Sequence, residues 1–167
     1  GDDIIGCLTK HLRTKYPTQS VIIITNDCDF LQLADEYTQI INLQNKIINL
    51  KSCGCPKMDL EIKILMGDVS DNIPRCFKRC GIKTATKYAK NKELLEKAFL
   101  KEEGSRDKYE MNKTLIDMNN IPSEIQGKIL KSFAPILVQI EIDAAKVLEA
   151  KVLEAKVLKA KVSKAKV

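Results

Sequence analysis

Six aspartates stand in three close pairs along the chain: Asp2/Asp3, Asp27/Asp29 and Asp68/Asp71. Carboxylates that a fold gathers into one place repel one another, so such a site needs cations to balance its charge. Ligation entirely by oxygen suits Mg²⁺ or Mn²⁺. Two such ions, about 4 Å apart, can polarise a phosphodiester, activate water and stabilise the leaving oxygen. The three pairs therefore predict a two-metal site, provided that the fold brings them together.

The second pair follows a run of β-branched residues at 21–25. This run predicts a central parallel strand that is buried on both faces, and ligands bind at the carboxyl end of such strands. Side chains two apart on an extended segment point the same way, so Asp27 and Asp29 can converge on one cation. The alternative is that both serve as turn and cap residues for a short helix at 30–35.

The other two pairs have simpler alternatives of their own. Asp2 and Asp3 lie in the first turn of a predicted helix at 2–15, where the helix dipole favours acidic residues without any ligand. The apolar stripe predicted for this helix is Ile4, Ile5, Leu8 and Leu12. Asp68 and Asp71 lie in the segment 67–74, which is rich in turn residues, and they share one side if that segment is helical.

The pattern changes from mixed to helical along the chain. A second strand is predicted at 39–43 and the pattern allows a third at 46–50, whereas helices are predicted at 58–66, 81–90, 92–102, 106–118 and 122–133. From residue 145 a lysine-rich five-residue repeat follows, which has no single apolar face. We interpret it as a solitary helix or disordered chain outside the fold, with a stacked pentapeptide β-helix as an alternative. The fold class predicted is α/β, with boundaries at 1–56, 57–140 and 141–167.

Composition limits the classes of protein further. The net charge of +6 comes mostly from the tail, because residues 1–144 carry 21 basic and 20 acidic side chains. No run of 18 uncharged apolar residues occurs, so no membrane span is predicted. Without a secretory leader we expect an intracellular protein (cytoplasmic, nuclear or in a viral replication compartment) with reduced thiols. A zinc set of Cys53, Cys55, Cys76 and Cys80 is an alternative, although the spacing is not the usual one.

Three segments resemble successive motifs of the 5′→3′ exonuclease and flap endonuclease family, in the form found in the 5′ nuclease domain of bacterial DNA polymerase I and its phage and viral relatives. They are DDIIG at 2–6, TNDCDFLQL at 25–33 and LMGDVSDNIP at 65–74, of which the last is highly specific. The resemblance covers roughly residues 1–90. It implies a PIN-like parallel α/β core with flanking helices, followed by an all-helical subdomain with a helix–three-turn–helix motif.

The resemblance also implies roles for the aspartates. Asp2 would serve a first Mg²⁺ or Mn²⁺ ion, with Asp3 acting through water. Asp27, Asp29 and Asp71 would serve a second ion, with Asp68 in support. Further acidic ligands of the family would precede Gly1, so we expect a C-terminal fragment that is inactive or impaired alone. The implied reaction is hydrolysis of DNA at 5′ flaps, nicks or 5′ ends by a monomer.

The stretch 75–89 would be the helix–three-turn–helix motif, which holds the backbone of duplex DNA. The helix that begins near Lys83 offers free N–H groups to a phosphate. The predicted contacts are Lys78, Arg79, Gly81, Lys83 and Thr84, and a K⁺ ion held by carbonyls in the turn is implied as well. Arg79 replaces a glycine usual in the family: it is strained if φ there is positive, and otherwise adds a phosphate contact.

Three alternatives remain at this point. The basic residues at 78–83 can be an ordinary solvated face. The chain can bind duplex DNA without hydrolysing it. It can also be a ribonuclease with a related acidic α/β fold, although residues 67–90 argue against that.

Overall fold

The computed structural model describes residues 1–48 and 55–164, and within them the chain is mixed at first and helical afterwards. The elements are α1 (Asp2–Lys15), β1 (Val21–Ile24), a first 3₁₀ helix (Cys28–Leu33), β2 (Thr38–Ile41), α2 (Pro56–Met66), α3 (Ile82–Lys90), α4 (Lys92–Phe99), α5 (Ser105–Ile116), a second 3₁₀ helix (Met118–Asn120) and α6 (Ser123–Lys164). The predicted α/β class is confirmed. The chain forms two compact units, which divide after residue 126.

Within the described part of the chain the sheet is formed by β1 and β2, which are parallel with Val21 opposite Thr38 and Ile23 opposite Ile40. Ile23 and Ile40 are buried, whereas Ile22 is 56% exposed and Ile24 is 68% exposed. The prediction of a strand buried on both faces is therefore wrong for the described residues, because only one face of this sheet is covered there.

The third strand that the pattern allowed at 46–50 is not formed as a strand in residues 46–48. Ile47 makes only an isolated antiparallel bridge with Ile41, and the Ile48 amide donates to the carbonyl of Ile40 at 2.8 Å. Residues 49 and 50 lie outside the described residues.

Helix α1 has the predicted bounds but not the predicted buried face. Its buried residues are Gly6, Cys7 and Thr9, whereas Ile4 is exposed. The reason is close packing against the second 3₁₀ helix, since a Cβ placed on Gly6 would lie 3.1 Å from the sulfur of Met118. The Lys10 ammonium adds a 2.7 Å hydrogen bond to the Met118 carbonyl. The predicted apolar stripe is therefore wrong for Ile4, whereas Ile5, Leu8 and Leu12 are half-buried.

The core of the helical part lies between α2, α3 and α4. Its buried residues are Ile62, Leu65, Cys76, Phe77, Cys80, Ala85, Leu95, Ala98 and Phe99. The ring of Phe77 lies 5.2 Å from that of Tyr88 and 5.4 Å from that of Phe99, centroid to centroid. These contacts hold the turn between α2 and α3 in place, because burial of each large aromatic side chain is worth about 1.5–3 kcal/mol.

Asn112 connects α5 to both ends of the loop that follows α2. Its amide nitrogen donates to the carbonyls of Ile64 at 2.9 Å and Pro74 at 2.7 Å, and the residue is fully buried. We expect Asn112→Ala to lower the free energy of unfolding by about 2 kcal/mol, because the buried carbonyl of Ile64 and the part-buried carbonyl of Pro74 lose their donor. Urea unfolding followed by circular dichroism measures this.

The control is Asn119→Ala, at an exposed asparagine whose side chain, among the described residues, bonds to Asp117 two residues away. We expect it to cost less than about 1 kcal/mol. Equal small losses in both variants would show that Asn112 does not anchor the loop.

Helix α6 continues through Pro135 into the five-residue repeat, so the predicted end at 133 was wrong. The repeat is helical as far as residue 164, which excludes the β-helix alternative there. Among the repeat residues whose side chains the structure describes, Val147, Leu148, Val152 and Leu153 are 47–64% exposed and form no common buried face. Across the described residues we find no helix with both the length and the apolar character required to span a membrane.

Candidate active site

Three of the six predicted aspartates lie together. Asp29, Asp68 and Asp71 each offer a carboxylate oxygen, and these oxygens all lie within 4.8 Å of one another. Asp29 is in the first turn of the first 3₁₀ helix, just after β1, whereas the other two lie in the loop after α2. Because α2 packs against that 3₁₀ helix, the two sources of carboxylates meet. We call Asp29, Asp68 and Asp71 the acidic triad.

The loop after α2 is a tight turn and not a helix. Gly67 ends α2 with φ 66° and ψ −170°. The backbones of Asp68 and Ile73 then bond in both directions, at 2.9 and 2.7 Å. The Ser70 amide donates to the Asp68 carboxylate at 2.8 Å, which fixes its rotamer. Asp68 and Asp71 therefore lie close together because the turn closes on itself. From the sequence they were instead predicted to share one side of a helical segment.

Lys63 is the site residue that sequence reasoning missed. Its ammonium lies 2.6 Å from an oxygen of Asp29 and 2.5 Å from an oxygen of Asp68. In the sequence Lys63 is one of two lysines on α2, so no local signal distinguishes it. Its place five residues before Asp68, slightly more than one helical turn, is the only hint that the sequence contains.

The charges of this cluster shift one another. Burial raises the pKa of Asp29, although its bond with Lys63 opposes this. The bonds with Lys63 and then Ser70 lower the pKa of Asp68 to about 2. Burial disfavours the charged form of Lys63, but its bonds with Asp29 and Asp68 outweigh this and raise its pKa. At neutral pH the triad and Lys63 together favour the binding of additional positive charge.

The low pKa of Asp68 predicts a loss of stability in acid. Its carboxylate stabilises the fold fully above pH 4, and this contribution is lost as the pH falls towards about 2. We expect a loss of about 1 kcal/mol, because the Lys63 side chain is 30% exposed and water therefore screens its pair with Asp68. Urea unfolding in EDTA between pH 6 and pH 2 measures it, with Asp68→Asn as reference. If Asp68→Asn loses the same free energy of unfolding between pH 6 and pH 2 as the unmodified chain, the loss does not come from the Asp68 carboxylate.

Asp2 and Asp3 line a cavity that two members of the acidic triad also line. Both are exposed at the start of α1, and they line a cavity of about 350 Å³ together with Asp29 and Asp71. The first predicted pair thus shares a cavity with one aspartate of each other pair, without joining the acidic triad.

Asp27 has a different position, and its side chain accepts a 2.8 Å hydrogen bond from the Asp29 amide. Residues 28 and 29 already belong to a 3₁₀ helix, so the geometry of an extended segment does not apply. Asp27 therefore caps the first 3₁₀ helix, which is the alternative predicted for it from the sequence. Its negative charge still reaches Asp29 and contributes to the raised pKa of that carboxyl.

The cysteines do not form a metal group among the described residues. Cys53 lies outside those residues. Burial raises the pKa of Cys76 to about 12, and burial also raises that of Cys80. Both thiols are therefore protonated at neutral pH in the metal-free protein.

The predicted DNA contacts surround the start of α3. Gly81 is its N-terminal cap, with φ −94° and no side-chain capping bond, so the first N–H groups of α3 are open. Lys78, Arg79 and Lys83 are exposed and Thr84 is half-buried. Within the described residues only Asn45 and Asn72 combine a side chain with positive φ. Arg79 is therefore not strained, and its side chain adds positive charge near α3.

The chain is similar to known nucleases over most of its length. It is 32% identical over 142 residues to a 5′-3′ exonuclease of Bacillus subtilis, which covers 77% of this chain. This similarity supports membership of the 5′ nuclease family. It is also 34% identical over 119 residues to a DNA polymerase I of Deinococcus radiodurans, which covers 64% of this chain. No protein-family model matches the chain.

Solved structures of 5′ nucleases share the fold. A mutant of the bacteriophage T5 5′-exonuclease superposes with a TM-score of 0.62 at 16% identity, covering 81% of this chain and 65% of that one. A bacteriophage T5 flap endonuclease in a pseudo-enzyme–product complex with DNA and metal ions superposes with a TM-score of 0.62 at 14% identity, covering 81% of this chain and 59% of that one. The chain spans 47% of the Bacillus exonuclease and 12% of the Deinococcus polymerase.

Proposed function

We propose that this chain provides part of the active site and the DNA-binding surface of a 5′→3′ exonuclease or 5′ flap endonuclease that hydrolyses DNA with divalent cations. The observation that carries the proposal is the meeting of Asp29, Asp68 and Asp71 beside the cavity that Asp2 and Asp3 also line. The Bacillus relative is named a 5′-3′ exonuclease, and the bacteriophage T5 complex contains DNA and metal ions.

The donor set fits a hard divalent cation. Its oxygens are close enough to share one ion, and Lys63 already holds a positive charge between two of them. We propose that the acidic triad binds one Mg²⁺ or Mn²⁺, that Asp2 and Asp3 contribute to a second ion, and that Asp27 supports Asp29. When bound, such ions polarise the phosphodiester and lower the pKa of the attacking water. The turn at 67–74 holds Asp68 and Asp71 for this task.

The start of α3 is proposed to hold the DNA backbone. Its open N–H groups and the nearby cations of Lys78, Arg79 and Lys83 form an anion site of the kind that helix N-termini provide. In this proposal residues 1–56 belong to the catalytic core, residues 57–140 form the DNA-binding subdomain and residues 141–167 are a basic extension. A K⁺ ion in the turn at 78–83, a monomeric state and an intracellular place of action stay predictions.

Lys83→Ala is expected to weaken binding to duplex DNA about three- to tenfold and to lower the slope of log affinity against log salt by about one, since one phosphate contact is lost. Fluorescence anisotropy with a labelled duplex at several salt concentrations measures both values. The matched control is Lys46→Ala, at an exposed lysine in the loop after β2. Equal losses in the two variants would show only a general effect of charge.

The function itself is tested with the longest natural polypeptide that carries these 167 residues. A duplex with a 5′ flap, labelled at the 5′ end, is incubated with Mg²⁺ or Mn²⁺. We expect short 5′ products that EDTA abolishes, and no shortening of a substrate whose 5′ end is blocked. Tight binding of the duplex without cleavage in either metal would favour the alternative function, duplex binding alone.

A further inference from the structure

The Lys63 ammonium lies between the carboxylates of Asp29 and Asp68, where the proposed metal ion would bind. We propose that the Lys63 ammonium is an internal counter-cation, which competes with a divalent cation for Asp29 and Asp68 and must leave them when the metal binds. This inference rests on the metal site of the proposed function, and it adds a residue that sets the affinity of that site.

The contacts of Lys63 support competition. Its ammonium is within 2.6 Å of both Asp29 and Asp68, and these carboxylates are only 20% and 15% exposed. Asp71, the third member of the triad, is exposed and has no hydrogen-bond or ion-pair partner within the described part of the chain. The ammonium thus pairs with the two less exposed carboxylates, and the exposed Asp71 carboxylate is left available to an incoming ion.

An ammonium and a divalent cation cannot share these oxygens without strong repulsion. Two positive charges about 4 Å apart repel each other appreciably even near a protein surface. A divalent ion also attracts carboxylates more strongly than a single ammonium does, because its charge is twice as large. The metal must therefore displace the ammonium, and breaking the two ion pairs lowers the affinity for metal.

Lys63 has a place to move to. It lies in the last turn of α2 and also lines a cavity of about 350 Å³, whose wall includes Leu60, Met66 and Ile82. The flexible four-carbon stem of lysine can lie along such an apolar wall while the ammonium turns to solvent. Displacement therefore needs a rotamer change of one side chain and no movement of α2.

In the metal-free protein the ammonium has a second consequence. It neutralises part of the repulsion within the acidic triad, so the carboxylates stay close together before any metal arrives. Lys63 is accordingly a positioning residue that holds Asp29 and Asp68 in place but opposes the binding of the ion.

Calorimetric titration of the metal-free chain with Mn²⁺ tests the inference. We expect Lys63→Met, which keeps the apolar stem, to bind Mn²⁺ at least about tenfold more tightly than the unmodified chain. The control is Lys57→Met, at an exposed lysine on the same helix, whose affinity should stay within about twofold. Equal or weaker binding by Lys63→Met would overturn the inference.

A second measurement needs no variant that might misfold. In nitrogen-15 spectra of the unmodified chain, the ammonium of Lys63 should be slowed in its proton exchange by its two ion pairs. Addition of Mg²⁺ should abolish this signal as the ammonium moves into solvent. Persistence of the signal at saturating Mg²⁺ would contradict displacement.

Failure of the Lys63 inference can be distinguished from failure of the proposed metal site. If Asp71→Asn abolishes Mn²⁺ binding but Lys63→Met does not strengthen it, the inference on Lys63 is wrong and the proposed metal site stands. If the unmodified chain and Lys63→Met both bind no Mn²⁺, the metal site and the inference fail together.

Discussion

Replacing Asp71 with asparagine is expected to reduce Mg²⁺-dependent cleavage of flap DNA at least about a thousandfold in the protein that carries this chain, with little change in stability. Asp71 is the exposed member of the acidic triad, and its carboxylate makes no bond to other described residues. Its removal therefore leaves the metal-free fold intact. A bound metal contributes several kcal/mol of transition-state stabilisation, and each 1.4 kcal/mol is about tenfold in rate.

Single-turnover cleavage of a labelled flap duplex measures this loss, and urea unfolding shows whether the fold is unchanged. The matched control is Asp107→Asn, at an exposed aspartate in the first turn of α5. This control should retain the full rate within about twofold. A rate for Asp71→Asn equal to that of the control would remove Asp71 from the active site.

Gly67→Ala is expected to have the largest effect on stability, a loss of about 3 kcal/mol or more. Gly67 adopts φ 66° and ψ −170°, a region that is essentially limited to glycine. A Cβ at this position would also collide with the backbone carbonyls of Ile73 and Pro74. To relieve the collision, the turn that holds Asp68 and Asp71 must open, so binding of Mn²⁺ should weaken as well.

The control for this variant is Gly127→Ala, at a glycine in α6 with no atom within 4 Å of an added Cβ. Alanine there should stabilise the helix by about 0.5–1 kcal/mol. Thermal unfolding of both variants, read by circular dichroism, gives the comparison. If Gly67→Ala unfolds at the same temperature as the unmodified chain, the turn is not the rigid support of the site that we describe.

The helices and the first strand could be predicted from the sequence because their signals are local. Apolar periodicity and turn residues placed α1, α2 and α3 within one or two residues of their observed bounds, and the run at 21–25 predicted β1. What could not be predicted depends on tertiary contacts. The buried face of α1 follows Gly6 and its contact with Met118, which lies 112 residues further along the chain.

The site was predictable in its residue types but not in its arrangement. The turn at 65–74 has a specific sequence, so Asp68 and Asp71 could be assigned to one loop by sequence alone. The separation of Asp27 from the triad depends on where β1 ends and the first 3₁₀ helix begins, and element boundaries are the least certain part of a prediction. The role of Lys63 needs the packing of α2 against that helix, which no local pattern contains.

The position of a bound metal ion tests the central claim most directly. Crystals of the chain grown without metal and soaked in Mn²⁺ allow the ion to be located by its anomalous scattering. We predict a peak at about 2.0–2.4 Å from oxygens of Asp29, Asp68 and Asp71, the distance range usual for hard divalent cations. Strong Mn²⁺ peaks elsewhere, with none between these three carboxylates, would contradict the account.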